Sequence, residues 1–529
     1  MSALRMKTVG EALVDLLEAY GVDIVFGIPG VHTAELYRGL ASSRIRHVTP
    51  RHEQGAGFMA DDYARVTGKP GVCFVITGPG LTNTITAMAQ AREDSIPMLV
   101  ISGVNARTTL GKGQGCLHEL PDQSALIGTF AKKSVTLMRA EDLSAALADC
   151  FEALSTGRPG PVHLEIPTDV MVEHVDSVAP AIAATASTSS DAALFGCAAE
   201  MIASASAPVI LAGGGAVRAD DVLRGFAERI DAPVVLTANG RGLMAGHPLQ
   251  VPASPSLAAV RELVAASDCV IAIGTEFGMT DYDMYVDQRF PHLQRLIRID
   301  LSTDQIAAGP AADVAILEDA AKALGPLCGL LPENKHCDGA KRAAAARKNA
   351  WESLPEKIRR EVTLLHRLRD AVQGARFVGD STQLVYAGNL YFEASAPATW
   401  FNSATGFGSL GYLPPGAIGA ALGDPARPVI AIVGDGGLQF SLAELGTAID
   451  ENINAVFLVW NNHGYKEIEN YMLDAGISPE GVRPTPPDMK SLANAYGLSF
   501  HSAASESELI AAVAEASRGG AHLVEFVSR

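Results

Sequence analysis

The 529-residue sequence has no CxxC pair and only seven cysteines, scattered and odd in number. That pattern excludes a disulfide-stapled scaffold and fits reduced thiols in a cytoplasmic protein. No apolar stretch reaches the length of a bilayer span. The N-terminus, Met1-Ser2-Ala3-Leu4-Arg5-Met6-Lys7, lacks a signal-peptide core. Positive charge is also short: 41 Lys and Arg stand against 59 Asp and Glu, a net charge of −18. This balance argues against nucleic-acid and anionic-membrane partners and leaves acidic groups for a cationic substrate. What is present is ordinary for a globular enzyme, with 48% apolar and 19% charged residues. The chain is too long for one core, so two to four domains are expected.

The chain is organised around residues 429–464. Val429-Ile430-Ala431-Ile432-Val433 reads as a buried strand that stops at Gly434-Asp435-Gly436-Gly437. The pattern predicts a helix from about Leu438 to Asp450, with Leu442, Leu445, Ala448 and Ile449 on one face. A second buried strand, 455–460, delivers Asn461-Asn462 at its end. A unit of this size is a parallel crossover, and parallel sheets collect ligands at the carboxyl ends of their strands. Asp435 and Asn462 stand at two such ends, 27 positions apart (462 − 435). A carboxylate, an amide oxygen and glycines whose N–H groups can face an anion suit Mg²⁺ holding a diphosphate. An isolated GDG is otherwise a tight turn with a capping Asp; here a helix and the NN pair accompany it.

This spacing resembles the thiamine-diphosphate motif, and the whole chain is similar to the acetolactate-synthase-like decarboxylases and carboligases. The resemblance implies an α/β fold of three doubly wound parallel-sheet domains: 1–176 for the pyrimidine, 192–335 in the centre, and 361–529 for the diphosphate and metal. It implies Asp435, Asn462 and the Gly464 carbonyl as Mg²⁺ ligands, with Gly434, Gly436 and Gly437 around the cofactor. RHEQGAGFMADDYAR matches the segment carrying the cofactor-activating glutamate. Glu53 then hydrogen-bonds N1′ of the aminopyrimidine, acid–base work done through the cofactor. From position alone Glu53 reads as a helix-start acid matched to the dipole. In the family the diphosphate is held by the partner subunit, which implies a homodimer or homotetramer with active sites between subunits.

In the first domain, short buried strands alternate with helices, the signature of a parallel sheet covered on both faces. Thr8 is expected to cap the first helix, and Pro29-Gly30 turns from a strand into a helix near Thr33. Gly78-Pro79-Gly80-Leu81-Thr82-Asn83 looks like the family's turn beside the aminopyrimidine, with a helix expected to start at Thr82-Asn83 and Asn83 as a polar contact. Pro29 and Gly30 join the cofactor set by the same resemblance. The polar loop GKGQGCLHELPDQ (111–123) reads as a carrier of substrate contacts. Gln114, His118 and Glu119 are its candidates, with His32 from the earlier turn. Acetolactate synthases usually have Phe-Gln-Glu where this chain has Leu117-His118-Glu119, which points away from acetolactate synthesis. His118 is the candidate proton donor after loss of CO₂; the alternative is a solvated loop histidine.

Residues 177–191 are Ala/Ser/Thr-rich and read as a linker. In the central domain, Gly213-Gly214-Gly215 follows a strand but lacks the full GxGxxG pattern. FAD-binding relatives show Arg-Phe-Asp-Asp where this chain has Gly274-Thr275-Glu276-Phe277-Gly278, so FAD is not expected and the domain reads as structural. Residues 336–360 read as a charged helical connector. In the third domain the resemblance places Thr382 and Gln383 on the diphosphate, Gly408 beside the cofactor, and Leu410 as the wedge that bends it; from sequence alone Leu410 is equally a core residue. Glu467 and Tyr471 fall on a helix where family specificity residues lie, and Glu469 and Asp474 add acidic groups.

GIPGVHTAELYRGL, RHEQGAGFMADDYARVTGKPGVCFVITGPG and GKGQGCLHELPDQ look closest to decarboxylases of 5-guanidino-2-oxopentanoate, the 2-oxo acid of arginine. Acidic groups near the site would pair its guanidinium. The reading is therefore a thiamine-diphosphate- and Mg²⁺-dependent decarboxylase of a small-molecule 2-oxo acid. An acetolactate-synthase-like carboligase is the alternative, and a non-catalytic cofactor-binding relative is the reading from another class.

Overall fold

The computed structural model describes residues 6–175, 191–282, 290, 293–333 and 335–528. The linker expected at 177–191 lies outside the described residues except for Asp191, which caps the helix Ala192–Ser204. The chain forms two compact units. One comprises Met1–Thr185, Ser409–Ser502 and Ala516–Arg529; the other comprises Ala186–Gly408 and Ala503–Glu515.

Three six-stranded parallel sheets with interleaved helices make the α/β architecture. In the first sheet the strands lie in the order Arg46–Val48, Ile24–Gly27, Gly71–Val75, Met98–Val104, Pro161–Pro167, Lys133–Thr136, all parallel. Its inner strands are buried along their whole length because helices cover both faces. The central sheet, in the second unit, runs Gln250–Val251, Val234–Leu236, Pro208–Ala212, Cys269–Ile273, Leu296–Asp300, Val314–Leu317. For the third sheet, the first unit holds Val429–Gly434, Ala455–Asn461, Ala521–Val527 and Ser499–Ala503 side by side. Arg376–Gly379 and Trp400–Asn402 pair in parallel in the second unit.

Local chemistry sets several element ends. Thr8 caps Val9–Ala19 with a full capping box, its hydroxyl on the Glu11 amide and the Glu11 carboxylate on the Thr8 amide. The helix expected from Thr82-Asn83 instead begins at Pro79, where the missing N–H costs nothing, so Asn83 sits one turn inside it. The helix expected over Leu438–Asp450 is two pieces, Asp435–Leu438 and Glu444–Asp450. Glycines at 436 and 437 start the first piece, and tight turns separate the two.

Within the first unit, the helix Glu53–Thr67 packs on Pro415–Gly423. A Cβ on Gly419 would fall 2.0 Å from the Met59 carbonyl oxygen, so only glycine permits this approach. A buried charge cluster closes the same seam. Arg65 donates to Asp61 (2.5 Å) and Asp94 (2.7 Å), and Asp62 lies 3.5 Å away. The buried Tyr412 hydroxyl donates to Asp62 and lies 3.1 Å from Asp61. Gln90 links Asp94 (2.6 Å) to the hydroxyl of Ser409 (2.7 Å). Arg65→Met strands three buried carboxylates without their cation. It is expected to destabilise the fold by about 3–5 kcal/mol, read as a fall in the urea midpoint at unchanged slope.

Candidate active site

Asp435 and Asn462 stand at the ends of neighbouring parallel strands, with Gly434 in register with Trp460. Their proximity therefore follows from strand pairing. The Asn462 amide donates to Asp435 Oδ1 at 3.2 Å, and the Gly464 backbone also hydrogen-bonds this carboxylate. Asp435 is buried, and burial raises its carboxyl pKa against these backbone donors. Gly464 has φ +129°, and a Cβ there would meet the Val482 carbonyl oxygen at 2.4 Å. Asn461 does different work. Its side chain bonds Glu525 (2.7 Å) and accepts the His463 amide (3.1 Å), which fixes the turn that presents Asn462. Tyr465 lies over Gly436, and Gly437 is buried. Among the described residues no three His, Cys, Asp or Glu side chains cluster as a metal cage. A hard cation here would take one carboxylate plus amide, carbonyl and ligand oxygens, the donor set Mg²⁺ accepts.

Glu53 opens the helix Glu53–Thr67, and Asn83 Nδ2 donates to its Oε2 at 2.9 Å. Gly80 lies against Glu53 Oε1, and Gly30 and Gly80 both abut Ile76. Pro29-Gly30, Gly80, Asn83 and Glu53 are thus gathered at one edge of the first sheet. Glu444, from the third module of the same unit, supports this edge. Its buried carboxylate accepts the amides of Arg51 (2.9 Å) and His52 (3.0 Å) and the Thr447 hydroxyl (2.7 Å). Burial pushes its pKa up; the three donors oppose that. The sequence gives no signal for Glu444, which falls inside the helix expected over Leu438–Asp450 and opens a helix only in the structure.

His32 and His118 come from separate loops and meet edge-on, ring centroids 5.5 Å apart. His32 is 6% exposed, and its Nδ1 has no hydrogen-bond partner among the described residues. Burial, and then the neighbouring His118, lower its pKa. Glu119 is partly exposed and bonded within its own loop. It accepts the amides of Cys116 (2.9 Å) and Gln114 (3.3 Å) and so folds its own loop, which holds its pKa down. On the helix Lys466–Asp474, Glu469 is taken up by Lys466 (2.8 Å) and Arg483 (2.8 Å), whereas Glu467 and Asp474 are exposed and Tyr471 is 70% exposed. Leu410 is half-buried between Ser409 and the Tyr412 anchor. In the second unit, Thr382 precedes the helix Gln383–Leu390, both residues are buried, and Gly408 has φ +72°. In that unit's central sheet, Gly213 and Gly215 pack against the Gly274 backbone, so the glycine-rich turn serves an internal backbone contact.

Behind the histidine pair lies a buried polar chain. His163 sits between the hydroxyls of Ser102 (2.9 Å) and Ser134 (2.8 Å), and burial pushes its pKa down to about 3. The folded imidazole stays neutral while the unfolded one takes a proton below about pH 6.5. Stability is therefore lost as pH falls from about 6.5 toward 3. Between pH 7 and 5 this group alone is expected to cost about 2 kcal/mol. His163→Gln, which retains a donor and an acceptor, should remove that part of the slope in denaturant midpoints measured across this range.

Residues 7–126 match the family model "Thiamine pyrophosphate enzyme, N-terminal TPP binding domain", residues 196–327 the central domain of these enzymes, and residues 380–526 their C-terminal TPP binding domain. The chain is 44% identical over 505 residues to a probable 2-ketoarginine decarboxylase of Pseudomonas aeruginosa, covering 94% of this chain and 89% of that protein. It is 32% identical over 485 residues to the acetolactate synthase large subunit of Corynebacterium glutamicum, covering 87% and 76% of the two. Against the large subunit of acetolactate synthase isozyme 1 of Escherichia coli the identity is 30% over 483 residues, covering 87% and 83%. With all three domains matched and identity extending along nearly the whole chain, the protein belongs to the thiamine pyrophosphate enzyme family.

Proposed function

We propose that this enzyme is a non-oxidative decarboxylase of a 2-oxo acid, with 5-guanidino-2-oxopentanoate as substrate. The observation that carries the reading is the meeting of His32 and His118 beside the turn that also touches Glu53. Decarboxylation to an aldehyde needs a proton delivered to carbon, and an imidazole is a group that can pass one on. The 44% identity to a probable 2-ketoarginine decarboxylase supports the substrate. The exposed carboxylates of Glu467 and Asp474 are groups suited to its guanidinium.

Asp435, Asn462 and the Gly464 carbonyl would hold Mg²⁺, and the backbone at Gly434, Gly436 and Gly437 would face a diphosphate. Thiamine diphosphate, when bound, supplies the carbon nucleophile and the electron sink for loss of CO₂. Glu53, which accepts a hydrogen bond from Asn83, would hold the proton at the pyrimidine, and Leu410 would pack against the bound cofactor. His118 and Tyr471 are the further residues proposed to contact the substrate. Two copies complete each site, so a homodimer or homotetramer is the working assembly. The central domain is structural and holds no FAD; its glycine-rich turn is occupied by its own backbone. All seven cysteines are free, consistent with a reducing cytoplasmic setting.

The carboligase reading draws on the acetolactate synthase relatives. Incubation with thiamine diphosphate, Mg²⁺ and 5-guanidino-2-oxopentanoate should release CO₂ and 4-guanidinobutanal in equal amounts, identified by mass spectrometry. Acetolactate from pyruvate, with no aldehyde from the guanidino acid, would defeat the proposal. Glu53→Gln should abolish exchange of the cofactor's C2 proton; retained exchange would remove Glu53 from its role.

A further inference from the structure

Gln123 ends the loop that carries His118, and its carboxamide is buried, 3% exposed. Both ends of the carboxamide are occupied. Oε1 accepts the Thr77 hydroxyl (2.7 Å) and the Gly78 amide (3.4 Å). Nε2 donates to the Gly103 carbonyl (3.0 Å) and the Ser102 hydroxyl (3.3 Å). One side chain therefore ties the ends of two adjacent strands, which pair in register at Val75 and Ser102.

Those two strand ends are the surfaces on which the histidines rest. A Cβ on Gly78 would fall 2.5 Å from the His118 carbonyl oxygen and 2.9 Å from its Cβ. A Cβ on Gly103 would fall 2.4 Å from the His32 carbonyl oxygen and 2.9 Å from its Cβ. Each histidine backbone is pressed against one of the glycines that Gln123 clamps. His118 is itself held at φ +60°, a left-handed conformation that a histidine adopts only when its surroundings impose it. Ser102 continues the clamp into His163 and Ser134, so the carboxamide is braced from behind.

We propose that Gln123 is a positioning residue that sets the spacing of the His32–His118 pair by locking together the two strand ends that carry it. The proposal rests on the reading of this pair as the proton-handling groups of the decarboxylase. A carboxamide suits the task because it offers an acceptor to one strand and a donor to the next; a carboxylate or an aliphatic chain of the same length offers at most one of these.

The test uses the full-length protein. Wild type, Gln123→Met and Thr77→Val, which removes the 2.7 Å bond together with the hydroxyl's 3.5 Å bond to the His118 carbonyl, are treated with diethyl pyrocarbonate. Carbethoxylation of each histidine is followed by mass spectrometry, with exposed His174 as internal control. Turnover of 5-guanidino-2-oxopentanoate is measured in parallel. In Gln123→Met, labelling of His32 and His118 should rise several-fold while His174 is unchanged. The kcat should fall about tenfold or more, as a misplaced group costs, with KM and cofactor affinity retained. Thr77→Val should move both readings the same way by less, and it carries the test if Gln123→Met does not fold. Unchanged labelling of both histidines in a folded variant overturns the proposal. Raised labelling with unchanged turnover leaves Gln123 as the clamp and removes the histidine pair from the reaction.

Discussion

Glu444 and Arg65 between them hold the helix that presents Glu53. At its first turn, the Glu444 carboxylate takes the amides of Arg51 and His52 from 393 and 392 positions away. In its last turn, Arg65 sits among Asp61, Asp62 and Asp94, with the Tyr412 hydroxyl closing the group. These are charges out of water, tolerable only while every member keeps its partners. A helix tied in this way cannot rotate or slide without exposing or orphaning a buried charge. The carboxylate at its start is therefore presented in one orientation, with Asn83 setting its remaining freedom.

Parallel-sheet geometry accounts for the rest of the site. Strand ends that share an edge bring their following turns together whatever lies between them in sequence. The third sheet unites Asp435 with Asn462 and Gly464 in this way, and the first sheet unites the turns at residues 28–33, 78–80 and 103. The polar groups gathered at these edges differ in role even where the residues are identical. Asn461 is bound to Glu525 and shapes the turn, while Asn462 is the one delivered to Asp435.

The strand–helix alternation, the Asp435–Asn462 pairing and the position of Glu53 were legible in the sequence because each is encoded by short-range signals. Those signals are an apolar run, a glycine-rich stop and a polar residue at the next turn. Acidic residues were legible only by type. Glu119 and Glu469 read as carboxylates facing a substrate, yet one folds its own loop and the other is neutralised by Arg483 and Lys466. Glu444 drew no reading from the sequence, yet it is buried and holds a distant backbone. A carboxylate's role depends on what donates to it, and those donors lie elsewhere in the chain or on backbone whose path is not written in side-chain pattern.

By itself the sequence determined that this is an α/β chain of parallel sheets in the thiamine pyrophosphate enzyme family, because hydrophobic periodicity and strand-end motifs are local and survive without knowledge of contacts. Only the tertiary structure decided that His32 meets His118, that Gln123 bridges the strands beneath them, and that Glu444 caps the helix of Glu53. Each of these is a pairing of groups from separate elements. Such pairings are fixed by strand order and helix packing, which arise from the summed burial of the whole core and from no segment alone.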